Sequence, residues 1–269
     1  MTYEIAIPSY NRVETLMKAT LPTLERYKAD PKKVTIFVAN DEQYAMYKNS
    51  IPQKYKLVVG ELGLLEVKKF YHSHYDLGTR LFNIQDDIYD LKEKNDDKLK
   101  PMSGTLDNLV ELGFEVAEAV GAKMWGLNPT GNPMFMQNNI SVGLRFIYGA
   151  IYGDYAGNPS VVNERILDLP SGEDWENTIS SYLRNGCVAR IEWISPKSKL
   201  FAKGGMEDYL DSIGDTREND HEKHLNAIAN HYPELVTTYR KAGDVLNLRL
   251  KPMKTTRIPK EEITEMRRK

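Results

Sequence analysis

Residues 83–91 read NIQDDIYDL: an apolar run ends in two adjacent aspartates, Asp86 and Asp87, with Gln85 before them and Asp90 three residues on. Carboxylates side by side at a strand end repel one another. The arrangement persists where a positive charge compensates them, and at a site built from oxygen ligands that charge is often a divalent ion. Two more polar stretches follow apolar runs. PSYNR (8–12) carries Pro8, Ser9, Tyr10 and Arg12, and ANDE (39–42) carries Asn40 and Asp41. Ser9, Asn40 and Asp41 suit the base and ribose of a nucleotide, and Arg12, Lys68 and Lys69 suit its phosphates. Taken singly, Asn40 and Asp41 would only cap a helix beginning near residue 41, and the lysines would form a solvated face. Taken as a set at three strand ends they form a candidate crevice, because ligands of open α/β sheets bind at the carboxyl ends of the strands.

The elements that must position these residues alternate in type. EIAIP (4–8) reads as a short buried strand, and RVETLMKATLPTLERY as a helix broken or kinked by Pro22. VTIFVAN (34–40) and YKLVVG (55–60) read as parallel strands, residues 63–75 as a helix, and RLFNI as the strand that runs into Asp86. Strand, helix, strand, helix is the pattern of a parallel sheet with crossover helices. The charged stretch DLKEKNDDKLKPMS (90–103) predicts a loop or lid. A helix over about 104–120, a strand KMWGL and a turn-rich loop NPTGNP come next. NNISVGLRFIYGAIYG predicts strands at a second, mixed sheet edge, DWENTISSYLRNG a helix stopped by Gly186, and VARIEWISP the strand after it. Residues 206–243 read as mostly helical.

At 269 residues and 41% hydrophobic, the chain is long enough to bury a sizeable core. The expected organisation is one domain over 1–250, with a nucleotide-binding half (1–89), a second half (104–205), a mostly helical part (206–250) and a basic tail (251–269). That tail carries seven Lys or Arg against three Glu, which leaves 29 basic against 35 acidic residues over 1–250. A basic tail on an acidic body can meet a polyanion; the plainer expectation is a solvated, frayed terminus. Cys187 is the single cysteine, so no internal disulfide forms. No run of about 18 uncharged apolar residues is present, since VGLRFIYGAIYG contains Arg145, so no membrane span is expected. The start MTYEIAIPSYNR has no apolar leader, and a reducing, cytoplasmic setting is the expectation.

IPSYNR, a β-branched strand ending in Asn-Asp, a Lys-containing helix and an apolar strand ending in QDD together resemble the nucleotide-sugar half of a GT-A glycosyltransferase. Downstream, GEDWENTISSYLRNGCVARIEWISPKSKLFAKGG is similar to the family's second element, in which an acidic pair opens a helix, a Gly closes it, and a Gly-rich loop returns to the phosphates. The likeness spans roughly residues 3–206. IPSYNR, QDDI and KGGM bring it nearer to the phage TET-associated glycosyltransferases, which attach sugars to hydroxymethylated pyrimidines in DNA.

The resemblance implies a GT-A, Rossmann-like fold: a mostly parallel central sheet flanked by helices, with a smaller mixed acceptor-side sheet. It places Gln85-Asp86-Asp87 at the family's Asp-x-Asp element. Gln85 is neutral, so coordination would fall on Asp87 with help from Asp86, and the ion would be Mn²⁺ or Mg²⁺. Lys203, Gly204 and Gly205 would meet the departing diphosphate. Asp174, with Glu173 beside it, would be the base; Glu207 and Asp208 compete for that role. The donor would be a UDP-sugar, UDP-glucose or a relative. The acceptor would be 5-hydroxymethylcytosine in DNA, in a host cytoplasm if the gene is phage-borne. Trp175, Arg145 and Tyr148 are candidates for the acceptor side; Trp125, Tyr152 and Tyr155 could also stack on ligand, and Arg184 and Arg190 add positive charge there. The histidines at 72, 74, 221, 224 and 231 do not form a zinc set, and His221 and His224 read as surface residues. Polysaccharide, lipid or protein acceptors are the alternatives. A sugar nucleotidylyltransferase is disfavoured because PSYNR lacks glycine, and a non-catalytic module is disfavoured by the two acidic pairs.

Overall fold

The computed structural model describes residues 2–162, 167, 172–198, 204–241 and 245–266. Its first half follows the alternation read from the sequence: β1 (Glu4–Pro8), α1 (Val13–Lys18), α2 (Thr20–Arg26), β2 (Val34–Val38), α3 (Asp41–Lys48), β3 (Lys56–Val59), α4 (Leu64–His74) and β4 (Arg80–Ile84). The helix break falls at Ala19, with φ −115° and ψ −80°, and not at Pro22. Pro22 sits in the first turn of α2, where a missing N–H leaves no hydrogen bond unmade.

Residues 88–101 form a hairpin rather than a lid. β5 (Ile88–Asn95) and β6 (Lys98–Pro101) pair antiparallel, and the chain reverses at Asp96, which takes the left-handed conformation (φ 53°) that Asp tolerates in turns. α5 (Leu106–Val120) starts in a capping box between Thr105 and Asn108 and ends at Gly121 in the left-handed region. β7 (Trp125–Leu127), β8 (Asn139–Gly143), β9 (Ile151–Tyr155), the short α6 (Pro159–Val162) and α7 (Glu173–Asn185) follow. VARIEWISP is two strands: β10 (Val188–Ile191) and β11 (Ile194–Ser198) lie in different sheets, the chain turning through Glu192 and Trp193. α8 (Met206–Ser212) and α9 (Arg217–His231) are helical as expected, but β12 (Val236–Arg240) and β13 (Leu246–Leu250) then form a hairpin.

The main sheet has nine strands in the order β14-β8-β10-β7-β9-β4-β1-β2-β3, where β14 is Thr256–Pro259. Its pairings set seven of the nine strands in one direction, with β8 and β9 opposed. The expected second sheet is therefore absent as such: β8 and β9 belong to the main sheet, and β9 lies inside it. The small sheet is β11-β5-β6. Both faces of the parallel half are covered. Ile5, Ile7, Val34, Ile36 and Val38 face one cluster, whereas Ala6 and Phe37 face another under α4, which is why these strands read as unbroken apolar runs. Trp125 is core, at 1% exposure, and lies where a Cβ on Gly113 or Gly153 would overlap its indole. Tyr152 is buried as well, and the Tyr155 hydroxyl donates to Glu118.

Through residue 266 the basic tail is not a frayed terminus. β14 pairs with β8 at the sheet edge, and α10 (Lys260–Met266) places Ile263 in the main core at 4% exposure. Lys260 Nζ lies 2.9 Å from Glu93 Oε1 and 5.1 Å from the Trp193 ring centroid. Burying one Ile side chain contributes about 2 kcal/mol, so deleting residues 251–269 should lower the thermal midpoint by roughly 4–8 °C. A midpoint unchanged in a calorimetric scan would show that the tail does not support the fold.

Candidate functional site

The parallel strands run β3-β2-β1-β4 across the sheet, so the winding reverses between β1 and β4, and that is where an open α/β sheet forms its ligand crevice. Ser9 and Arg12 follow β1, and Asp86 and Asp87 follow β4. The loop after β1 is held in shape. Asn11 takes φ 52°, its N–H donates to Gln43 Oε1 at 3.0 Å, and its side-chain oxygen accepts from Gln43 Nε2 at 2.6 Å. The Arg12 N–H donates to the Tyr47 hydroxyl at 3.0 Å. The turn after β4 is held by Thr20, whose hydroxyl donates to the Gln85 carbonyl at 2.7 Å and accepts from the Ile88 N–H at 3.0 Å.

Arg12 supplies the positive charge that the aspartate pair requires. Its guanidinium lies 2.9 Å from Asp86 Oδ1 and 3.2 Å from Asp87 Oδ2, and Ser9 Oγ donates to Asp86 Oδ2 at 2.6 Å. Arg12, expected on donor phosphates, is thus engaged by the two carboxylates. Burial pushes Asp86 up to about 7, against the opposing pull of Arg12 and Ser9. Gly204 and Gly205 close on this side chain: both are left-handed (φ 87° and 66°), their Cβ atoms would come within 2.8 and 2.9 Å of Arg12, and the Gly205 N–H donates to the Tyr10 carbonyl at 3.1 Å. Lys203 lies outside the described residues.

Of the expected donor contacts, Ser9, Tyr10, Arg12, Asp86, Asp87, Gly204 and Gly205 do come together. Pro8 ends β1 and is buried, and Gln85 joins through its backbone. Asn40 caps α3 by accepting from the Gln43 N–H at 3.0 Å, and Asp41 is exposed in the first turn of that helix. The capping reading holds for Asn40, which meets the loop after β1 through Gln43. Lys69 pairs with Glu66 at 3.1 Å, and Lys68 turns inward, as described below.

Among the described residues no group of three or more His, Cys, Asp or Glu stands together as a metal cage. The chemistry of the aspartate pair nevertheless fits a hard cation. Asp87 Oδ1 is buried and accepts no hydrogen bond in the described structure, which leaves an oxygen of the kind that Mg²⁺ or Mn²⁺ would take as a ligand. Asp87 and Asp86 would hold it. His72 and His224 are both buried, which corrects the surface reading of His224.

The second acidic pair sits at the same end of the sheet. Gly172 (φ 73°) starts α7, and the Asp174 carboxylate accepts from the Trp175 N–H at 2.9 Å and from the Gly149 N–H at 3.4 Å. A side chain at residue 149 would strike Asp174, so this helix start seats on bare backbone. The next residue, Ala150, accepts from the Gln85 N–H at 2.8 Å, which ties the two acidic elements to one stretch of chain. Asp174 keeps partial solvent access, yet burial, reinforced by the neighbouring charge of Glu173, pushes it up to about 7. Glu173 is paired with Lys68 at 2.7 Å. The competing Asp208 accepts from Asn11 Nδ2 at 2.9 Å, on the loop after β1.

Sequence reading missed three groups. Thr20 clamps the aspartate turn, as above. Asp154 on β9 is fully buried, accepts from Asn83 Nδ2 at 2.8 Å and faces His72 Nε2 at 3.4 Å. Burial pushes Asp154 up to about 8 and His72 down to about 3. Lys68, Tyr71 and His72 recur at i, i+3 and i+4 within an apolar helix, a spacing that points one face inward. Third, buried Glu192 gathers two arginines of the second half: Arg145 and Arg190 each lie 3.0 Å from its Oε1, and Asn128 donates to its Oε2 at 2.9 Å.

Arg145 and Arg190 line a cleft of about 540 Å³ with Phe146, Trp175 and, from the tail, the basic side chains of Lys251 and Arg257. Trp175 packs on Phe146 with ring centroids 4.3 Å apart. Tyr148 lies beside Ser198, its hydroxyl 3.3 Å away, and Arg184 is exposed in the last turn of α7. Among the described residues no helix is long and apolar enough to cross a membrane. No protein-family model matches the chain, and no curated protein matches it.

The titrations have a defined sign. Asp86, Asp154 and Asp174 bind protons more tightly folded than unfolded, so the stability they contribute is full below about pH 4 and is lost as pH rises through 7–8. His72 acts oppositely, because its contribution is lost only as pH falls below its ordinary 6.5 toward 3. The melting temperature should therefore rise when the pH is lowered from about 8.5 to about 6.5, and Asp154→Asn should flatten that rise. A wild-type profile flat across this window would contradict the assignment.

Proposed function

We propose that the chain is a divalent-cation-dependent glycosyltransferase that moves a sugar from a UDP-sugar to a hydroxymethylated pyrimidine, 5-hydroxymethylcytosine, in DNA. The observation that carries this reading is the meeting of two acidic centres with different settings at one end of the sheet. Asp86 and Asp87 are bridged by Arg12 under a glycine pair. Asp174 is pinned by two backbone N–H groups and titrates near neutrality. Sugar transfer asks for that division: one centre to meet the departing diphosphate, the other to accept the proton of the acceptor hydroxyl.

Each group then has a task. A bound Mg²⁺ or Mn²⁺ would neutralise charge on the leaving diphosphate, with Asp87 and Asp86 as its protein ligands. Ser9 and Arg12 orient the two carboxylates. Gly204 and Gly205 meet the crevice as bare backbone. Asp174 takes the hydroxyl proton, and a carboxyl titrating at about 7 is matched to that work at neutral pH. The acceptor side is the cleft lined by Trp175, the chain neighbour of Asp174. Its aromatic faces suit a pyrimidine, and Lys251 and Arg257, with the Arg145 and Arg190 rim, suit a phosphate backbone.

Incubating radiolabelled UDP-glucose and Mn²⁺ with duplexes that differ only in cytosine or 5-hydroxymethylcytosine tests the whole reading. Label should enter the second duplex alone. Label that instead enters a polysaccharide, lipid or protein would leave the transferase and overturn the DNA acceptor, and label entering none would overturn both. Asp87→Asn should abolish turnover and the cation-dependent part of donor binding while the protein stays folded. Asp174→Asn should keep the donor-induced thermal shift and lose about 10²-fold or more in transfer. Replacing Lys251 and Arg257 together by Gln should reduce the slope of log affinity against log salt by about 2, without the destabilisation that truncation brings.

A further inference from the structure

The Lys68 side chain is 1% exposed, and its ammonium lies 2.7 Å from Glu173 Oε1, whose side chain is 6% exposed. The same ammonium donates to the Gly149 carbonyl at 3.3 Å and stands 5.2 Å from the centroid of the Tyr152 ring. An ammonium taken out of water is stabilised only by close charge and dipole partners, and here both come from the segments that hold Asp174. Glu173 is its chain neighbour. Gly149 gives its carbonyl to Lys68 and its N–H to Asp174. Lys68 therefore reaches the reacting carboxylate by two routes.

We propose that Lys68 is a positioning residue: it keeps Glu173 ionised, so that Asp174 alone of the pair exchanges a proton with the acceptor. The proposal rests on the reading of Asp174 as the base. The groups facing this cluster are Lys68, Tyr71 and His72 from α4, Tyr152 and Asp154 from β9, Glu173, Asp174 and Glu176 from α7, and His224 of α9, which packs on Gly172. His72 is neutral near pH 7, because burial holds it down at about 3. Lys68 is then the cation nearest the two carboxylates among these groups.

Two substitutions should move the pair in opposite directions. In Lys68→Met, ionising both carboxylates without the ammonium is harder, so the pair gives up its last proton at higher pH. In Glu173→Gln, the like charge beside Asp174 is gone and the ammonium stays, so the last proton leaves at lower pH. Lys68→Arg keeps the charge and should remain near wild type.

The test uses the full chain labelled with ¹³C at Asp and Glu side-chain carboxyls, titrated by NMR, with the Asp174 signal identified by its loss in Asp174→Asn. It is paired with the pH dependence of UDP-glucose turnover on the hydroxymethylated duplex. The expected result is a shift of one unit or more upward in Lys68→Met and a downward shift in Glu173→Gln. The acid limb of kcat should follow each shift while KM for UDP-glucose holds. Lys68→Met should lose about tenfold or more in kcat at about pH 7 and recover it at higher pH, which a loss of packing alone would not do. Should Lys68→Met fail to fold, the downward shift in Glu173→Gln together with an unshifted Lys68→Arg decides. Shifts that are absent, or of the same sign in both variants, would overturn the role of Lys68 while a dead Asp174→Asn leaves the base assignment standing. Opposite shifts with an active Asp174→Asn would overturn the base reading, and with it the catalytic part of the proposal.

Discussion

One guanidinium serving two carboxylates organises the crevice. Asp86 and Asp87 stand together where the winding of the sheet reverses, and Arg12 spans both. A single positive charge balances only one of them, and burial offsets the remainder by holding a proton on Asp86 up to about 7. The surrounding structure follows from keeping Arg12 in place. Asn11 accepts a left-handed backbone, Gln43 and Tyr47 of α3 fasten the loop, Thr20 fastens the opposite turn, and the glycine pair approaches where a side chain would collide with Arg12. Charge balance dictates the geometry here more than apolar packing does.

Beneath the crevice lies a second polar layer, built between α4 and β9. Lys68, His72, Asn83 and Asp154 are all close to fully buried, an arrangement that costs stability in a low-dielectric interior and is tolerated when partners are near. It links the strand that precedes Asp86 and Asp87 to the helix that starts with Glu173 and Asp174. β9 is antiparallel between β4 and β7, so its start, at Ile151, lies beside the end of β4. That reversal brings Gly149 and Ala150 to the mouth of the crevice, where one takes Asp174 and the other takes Gln85.

The second half of the chain turns on Glu192. Its buried carboxylate gathers Arg145, Arg190 and Asn128. The tail then comes back as β14 along β8 and adds Lys251 and Arg257 to the same cleft. The contrast between an acidic body and a basic terminus is resolved spatially: part of the terminal positive charge is brought onto the body, beside Trp175.

Local pattern sufficed for the strands and crossover helices up to Ile84, apart from the helix break, which falls at Ala19 and not at Pro22. Unbroken β-branched runs such as VTIFV, helical spacing between them, and polar residues at each strand end are short-range signals, and β1 to β4 with their helices stand where those signals put them. The left-handed stop at Gly186 and the acidic start of α7 were legible for the same reason. Partnership was not. The sequence shows that Arg12, Lys68 and the two acidic pairs carry charge, but Arg12 meets Asp86 across 74 positions of chain and Lys68 meets Glu173 across 105. Nothing in the spacing of either pair encodes the encounter. The hairpin at 88–101 and the strand at 256–259 read as loop and tail because their charged, weakly apolar residues become strands only when a neighbouring edge offers hydrogen bonds. Composition and periodicity thus determined which segments could be strands or helices and which residues could bear charge. The tertiary fold decided which charges are neutralised and which carboxylates keep a proton, because burial and distance set electrostatic energies and both exist only once the chain has folded.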